Sequence, residues 1–174
     1  IPSDPQWRNY ETIWTRIPFL TFFTNTIKLT TIITFLQVAT SSLAAYAFAK
    51  LDFRGRDILF LAYLGSIAIP WQVYMIPQFI IMRELGMVDS HMSLILLQAF
   101  TAFGVFLLRQ FFISVPNELL DAARIDGLSE YGIFFRIMLP LSKPALATLT
   151  IFSAVFVWND FMGPLIYLHS ESLK

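Results

Sequence analysis

Two histidines, His91 and His169, and no cysteine are all that this sequence offers by way of thiol or imidazole chemistry. Disulfides, thiolate metal sites and a cysteine nucleophile are excluded, and two separated histidines make a poor basis for acid–base catalysis or a metal centre. A membrane-embedded enzyme needs a convergent nucleophile, base or set of metal ligands. No Gly-rich Lys-Ser/Thr phosphate loop is present either, so any nucleotide has to be bound by a partner. No catalytic residue and no metal ligand is assigned. The distinctive spacing lies instead in residues 116–144, PNELLDAARIDGLSEYGIFFRIMLPLSKP. Pro116 suits a first helical turn. Residues 117–126 are good helix formers, with Glu118 and Asp121 near the positive end of the helix dipole. Gly127 takes the left-handed conformation that ends such a helix without steric cost. Ser129 caps a second short helix through Tyr131 and Phe135, and Pro140 and Pro144 bound a linker beyond it. The chemistry of this pattern is mechanical: a stiff helix-turn-helix with Leu119, Ala122 and Ile125 on one side and charges on the other. Two readings stay open here, a plug that docks into a partner and an amphipathic helix lying flat in lipid headgroups.

The elements that would carry this loop are apolar. The 174 residues are 56% hydrophobic and 14% charged, with a mean hydropathy of +0.64, where a soluble domain is about a quarter charged. Charge-free runs at 29–49, 58–82 and 92–108, and a fourth uncharged from 144 to Asp160, approach or exceed the roughly 20 residues that cross a bilayer. Expected spans are residues 19–49, 58–82, 91–110 and 144–167, with 113–143 as the loop. In hydrocarbon an unpaired amide costs several kcal/mol, so such spans are α-helical, and the runs lack the alternation of a β-barrel. The expected class is an all-α polytopic membrane protein. The chain opens at Ile1 on a polar stretch with Pro2 and Pro5, unlike a signal peptide, and stops after an apolar segment; it is expected to be truncated at both ends.

If all four spans cross, one side holds Lys50, Arg54, Arg56, Arg109, Arg124, Arg136 and Lys143, and the other Arg8, Arg16, Arg83 and Lys174. Short loops rich in Lys and Arg stay in the cytoplasm, which puts the 113–143 loop there. Net charge is +0, so no global field favours nucleic acid. Pro70 and Pro77 should each bend or break the second span. Gln37, Gln72, Gln98 and Asn159 are polar at membrane depth, where such groups glue helices or face a water-filled path. Trp158, Asn159 and Asp160 fall near the outer end of the fourth span, as a contact for a solute entering a path or as an interfacial anchor with Asp160 in water.

The loop resembles the "EAA" loop of binding-protein-dependent ABC importer permeases. Asp121, Ala122, Ala123, Asp126, Gly127, Ile137, Leu139 and Pro140 match it in order and spacing, with Asp121 in place of the usual Glu. "LAAYAFAKLDFRGRD" (43–57), "IPWQVYMIP" (69–77) and "VWNDFMGPLIYL" (157–168) are similar to the carbohydrate-uptake branch, in particular to the second permease subunit of maltose-type systems. The resemblance implies a helical permease bundle of the MetI-like type in a bacterial or archaeal plasma membrane, of which four of six spans are visible. It implies cytoplasmic ATP-binding subunits that hold the ATP and magnesium, a second permease and an extracytoplasmic solute-binding protein, and no cofactor in this chain. The coupling residues it implies are those eight together with Glu118 and Arg124. A possible translocation path takes Gln37, Gln72, Gln98, Trp158, Asn159 and Asp160. A secondary transporter would show internal repeats and a charge at mid-membrane, and neither is evident.

Overall fold

The computed structural model describes residues 6–173; Pro2, Pro5 and Lys174 lie outside the described residues. Regular structure among them is helical throughout, as the apolar runs require. The short α1 (Arg8–Arg16) has no buried residue. It precedes α2 (Phe19–Lys50), whose 32 residues extend about 48 Å at 1.5 Å per residue. Along the buried side of α2, Leu29, Ile33, Gln37, Ser41 and Ala45 recur every fourth residue, the spacing that keeps one face against neighbours.

The remaining apolar runs are interrupted. The expected second span is α3 (Arg56–Gly65), a 3₁₀ turn (Ser66–Ala68) and α4 (Trp71–Glu84), and the two halves are bent by 100°. Ile69 and Pro70 are extended at the bend, because a residue before proline is pushed out of the helical region. Pro77, expected to break the helix as well, sits inside an uninterrupted α4. The expected third span is α5 (His91–Gln98) and α6 (Ala102–Ser114), separated at 99–101. The last apolar run is α10 (Lys143–Trp158) followed, after a break at 159–161, by α11 (Met162–Tyr167). Among the described residues, α2 and the α5–α6 stretch are by themselves long and apolar enough to cross a membrane, and up to four spans result if each bent pair counts as one.

Two apolar clusters hold the bundle. Ala45, Val105, Leu108, Phe112, Met138 and Leu149 centre one; Ile33, Met82, Leu94, Val157 and Tyr167 centre the other. Outward, Ile58, Leu61, Val73, Ile76 and Phe156 are exposed by well over half, more apolar surface than water tolerates on a monomer. Lipid or partner helices are the environment such a surface suits.

At the end bearing the second cluster, Asp89 straps the chain's last residues to the α4–α5 turn. Its left-handed backbone (φ 59) presents Oδ1 to the His169 and Ser170 N–H groups, at 2.8 Å each, and Oδ2 to the Ser170 hydroxyl. The hydroxyl and these N–H groups lower the Asp89 carboxyl to about 2. A carboxylate held below its ordinary value contributes stability that is full above about pH 4 and disappears as pH falls through the folded value. Asp89→Asn keeps the left-handed preference and removes the charge. It is expected to lower the thermal unfolding temperature in detergent at pH 7, and the gap from the parent should close as the pH approaches 2.

Candidate functional site

The loop between α6 and α10 begins with α7 (Asn117–Ile125). Leu120 and Ala123 are its buried residues, at 1% and 6% exposure; burying the leucine stabilises the seat by roughly 1.5–3 kcal/mol. The apolar residues expected to form one face, Leu119, Ala122 and Ile125, point away from this seat, with Ile125 87% exposed. Glu118, Asp121, Arg124 and Asp126 are exposed too. The helix is therefore held by one side, and its exposed surface mixes charge with uncovered aliphatic groups.

Gly127 ends α7 at φ 84. Its N–H donates to the Arg124 carbonyl and the Leu128 N–H to the Ala123 carbonyl, both at 3.0 Å, the paired bonds of a Schellman cap. Beyond it the Ser129 hydroxyl accepts the Gly132 N–H and starts α8 (Glu130–Ile133). Where a short helix and a proline-bounded linker were expected, helical winding continues through a π segment (Phe134–Met138) into α9 (Leu139–Leu141). A 78° bend then separates this arm from α10. Ile137 and Leu139 pack against the first core cluster, and Pro140 is exposed. A π segment inserted in a helix often marks a functional site.

Three residues not singled out as site residues in the sequence fasten this loop to α2. The Lys50 ammonium donates to the Val115 carbonyl at 2.6 Å and to Asn117 Oδ1 at 2.7 Å, where α7 begins. The Tyr46 hydroxyl donates to Glu130 Oε2 at 2.5 Å. The other oxygen of Glu130 accepts from Arg124 Nε at 2.8 Å, and Arg124 Nη1 also donates to Asp121 Oδ1 at 2.7 Å. Arg124, and then Tyr46, hold the Glu130 carboxyl below its ordinary range. The signal for these residues was the i, i+4 spacing of Tyr46 and Lys50, which puts both on one face at the end of α2.

A second feature is a cavity of about 950 Å³ lined by Gln37, Gln72, Gln98 and Asp160 together with Trp71, Tyr167 and other residues. It lies where helices break. The Gln98 and Ala99 carbonyls, freed at the end of α5, accept from Gln37 Nε2 at 2.8 Å and Thr40 Oγ1 at 2.9 Å on α2, which is how a broken helix is satisfied in lipid. Asp160 is half-buried rather than in bulk water: Oδ2 accepts from Gln98 Nε2 at 2.7 Å and Oδ1 from the Gly163 N–H at 3.0 Å. Gln98 Oε1 and the Tyr167 hydroxyl are buried with no partner among the described residues. Trp158 and Asn159 do not join this lining. Trp158 meets Phe23 edge-on with centroids 6.0 Å apart, and Asn159 Nδ2 donates to the Val155 carbonyl at 2.7 Å. Among the described residues no three acidic or histidine side chains are placed to hold a metal ion.

Several known proteins resemble this chain in sequence or in fold. The chain is 41% identical over 155 residues to the arabinooligosaccharides transport system permease protein AraQ of Halalkalibacterium halodurans, covering 89% of this chain and 56% of that protein. It is 34% identical over 179 residues to the sn-glycerol-3-phosphate transport system permease protein UgpE of Pectobacterium atrosepticum, covering 99% and 64%. Its fold superposes with a TM-score of 0.90, at 30% identity, on a crystal structure of a bacterial ABC transporter involved in the import of the acidic polysaccharide alginate, over 99% of this chain and 61% of that one. The chain thus spans a little over half the length of several curated relatives it matches. The profile of one family matches residues 37–171, from the cavity glutamine on α2 through the loop to α11, and its description is "binding-protein-dependent transport system inner membrane component". With a family match over residues 37–171 and 41% identity over 89% of its length to a relative, this chain belongs to the family of binding-protein-dependent transport system inner membrane components.

Proposed function

We propose that the chain forms the membrane-spanning part of a permease subunit in an ATP-driven sugar importer of a bacterial or archaeal plasma membrane. The observation that carries this reading is α7: a helix seated by Leu120 and Ala123, capped at Gly127 and tied to α2, that leaves Leu119 and Ile125 uncovered. A partner with an apolar cleft covers that face at little entropic cost, because the helix is already ordered. The partner is a cytoplasmic ATP-binding subunit, which supplies the ATP and magnesium. Glu118, Asp121, Arg124 and Asp126 flank the contact, and Ile137, Leu139 and Pro140 carry its motion toward α10. A second permease subunit and lipid cover the exposed apolar helices, and an extracytoplasmic solute-binding protein delivers the solute. The basic residues around 50–56 and 109–143 favour the cytosolic side for the loop. Gln37, Gln72, Gln98 and Asp160 line the translocation path, where amide and carboxylate groups suit a hydroxyl-rich solute. The relatives supporting a sugar are the arabinooligosaccharide permease and the alginate importer.

Ile125→Asp tests the docking surface without touching the seat. In complexes purified from membranes, the variant is expected to lose about tenfold or more of the co-purifying ATPase, as one charge forced into an apolar contact costs more than 1.4 kcal/mol. Membrane insertion and the unfolding temperature of the permease should not change. Full recovery of the ATPase with Ile125→Asp would sink the assignment of this face.

A further inference from the structure

Apolar contacts are non-directional: Leu120 and Ala123 press α7 against the core, but such a seat by itself lets a short helix slide or swivel. Directional bonds remove that freedom, and they come in two places. At the N-terminal end, Lys50 Nζ reaches the Val115 carbonyl and Asn117 Oδ1. At the C-terminal end, Arg124 on α7 and Tyr46 on α2 share the two oxygens of Glu130. Tyr46 and Lys50 lie one turn apart on the same face of α2, so both ends of α7 are fastened to one helix. The Arg124–Glu130 bond also crosses the Gly127 turn and stops it from flexing as a hinge.

We infer that Glu130 and Tyr46 are positioning residues that complete a two-point clamp, making the coupling helix α7 move as one body with the membrane helix α2 and so carrying the motion of the ATPase to the cavity at Gln37. This rests on the reading of α7 as the ATPase-docking element and adds the part through which force leaves it. Gln37 lies on the same buried stripe of α2 as Ser41 and Ala45, and its bond to the Gln98 carbonyl joins α2 to the break in the third apolar run. A helix held at one point rotates about it, whereas a helix held at two transmits displacement. The clamp persists over physiological pH, since the Arg124 guanidinium and the Tyr46 hydroxyl hold the Glu130 carboxyl ionised below the ordinary glutamate range.

The test reads the cavity directly, in the assembled transporter in liposomes. This chain has no cysteine, so Met75→Cys in the cavity lining gives a single reporter once every cysteine elsewhere in the assembled complex is replaced. Its labelling rate by a membrane-impermeant maleimide is measured with and without Mg-ATP and vanadate. In the Met75→Cys parent the nucleotide is expected to change that rate. Adding Tyr46→Phe or Glu130→Gln should shrink the nucleotide-dependent change by about threefold or more, while ATPase co-purification is retained. The double variant should lose no more than the worse single one, because both cut the same link. An undiminished nucleotide response in Tyr46→Phe would overturn the clamp, even where its unfolding temperature is lower, since the bond would then serve local stability alone. Should Glu130→Gln fail to assemble, Tyr46→Phe, which removes one hydroxyl, decides the matter. A parent with no nucleotide response would overturn the docking reading itself, and the clamp with it.

Discussion

Gly127→Val is expected to reduce ATP-driven solute uptake by about tenfold or more while the protein still inserts and folds. The glycine sits at φ 84, where an L-residue costs about 1–2 kcal/mol and a β-branched one more. A cost of 1.4 kcal/mol is tenfold in an equilibrium. A Cβ added there meets nothing within 4 Å, so the penalty is in the backbone and not in crowding. Valine relieves it by leaving the left-handed region, which breaks the Ala123–Leu128 bond of the cap and turns Ser129 and Glu130 away from α7. Asparagine visits that region readily, so Gly127→Asn should retain most of the uptake. The pair separates backbone conformation from side-chain bulk, and equal uptake in the valine and parent proteins would remove Gly127 from the coupling mechanism. Uptake of radiolabelled solute by proteoliposomes, normalised to inserted protein, is the measurement.

Gly104→Leu is expected to have the larger effect on folding. At this position α6 approaches α2 so closely that a Cβ would lie 2.5 Å from Ser41 Oγ, and within α6's own cap it would lie 2.7 Å from Thr101 Cγ2. Ser41 is fully buried and has no room to retreat, while Thr101 caps α6. Small residues at such crossings let backbones pack where lipid offers no hydrophobic drive. Overpacking of this kind costs about 1–3 kcal/mol even where neighbours adjust, and the Ser41 Cβ, 3.1 Å from the added atom, moves only with the α2 backbone. The yield of monodisperse permease in detergent should fall several-fold, with a lowered unfolding temperature. Gly104→Ala tests the same point more gently, because the first added atom already makes the contact. An unchanged unfolding temperature in both would contradict the closeness of this crossing.

The contrast between these two glycines shows what could be read in advance. Gly127 was legible because its requirement is local: a helix of good formers, a stop, a cap two residues on. Gly104 lies in an apolar run with no turn signal, and only the approach of α2 gives it a role. The class of the protein was legible for a similar reason, since charge-free runs of span length leave the backbone no option but to bond to itself. The breaks in those runs were legible only in part. Pro70 bends the second run, as its effect on the residue before it foretells, but α4 continues through Pro77. The interruptions at 99–101 and 159–161 carry no proline at all.

Of the candidate site, the loop residues were found by their spacing, and the polar groups of the spans by their unlikely depth in an apolar run. Which of those polar groups face one cavity was not in the spacing. Gln37, Gln72, Gln98 and Asp160 share the lining, whereas Trp158 and Asn159, next to Asp160 in sequence, do not. Nor was the outward face of α7 settled, because Leu119, Leu120, Ala123 and Ile125 are all apolar and two helical faces compete for the core. Inclusion in the first core cluster, with α8 alongside, decided for Leu120 and Ala123.

Sequence by itself thus determined what short-range physics controls: apolar length, helical winding and the capped turn at Gly127. The tertiary structure alone decided what depends on partners far along the chain. Tyr46 and Glu130 are 84 residues apart and Gln98 and Asp160 are 62 apart. No local preference specifies such pairs. They form because helix packing brings buried hydroxyl, amide and carboxylate groups together in a medium where a polar atom without a partner is costly.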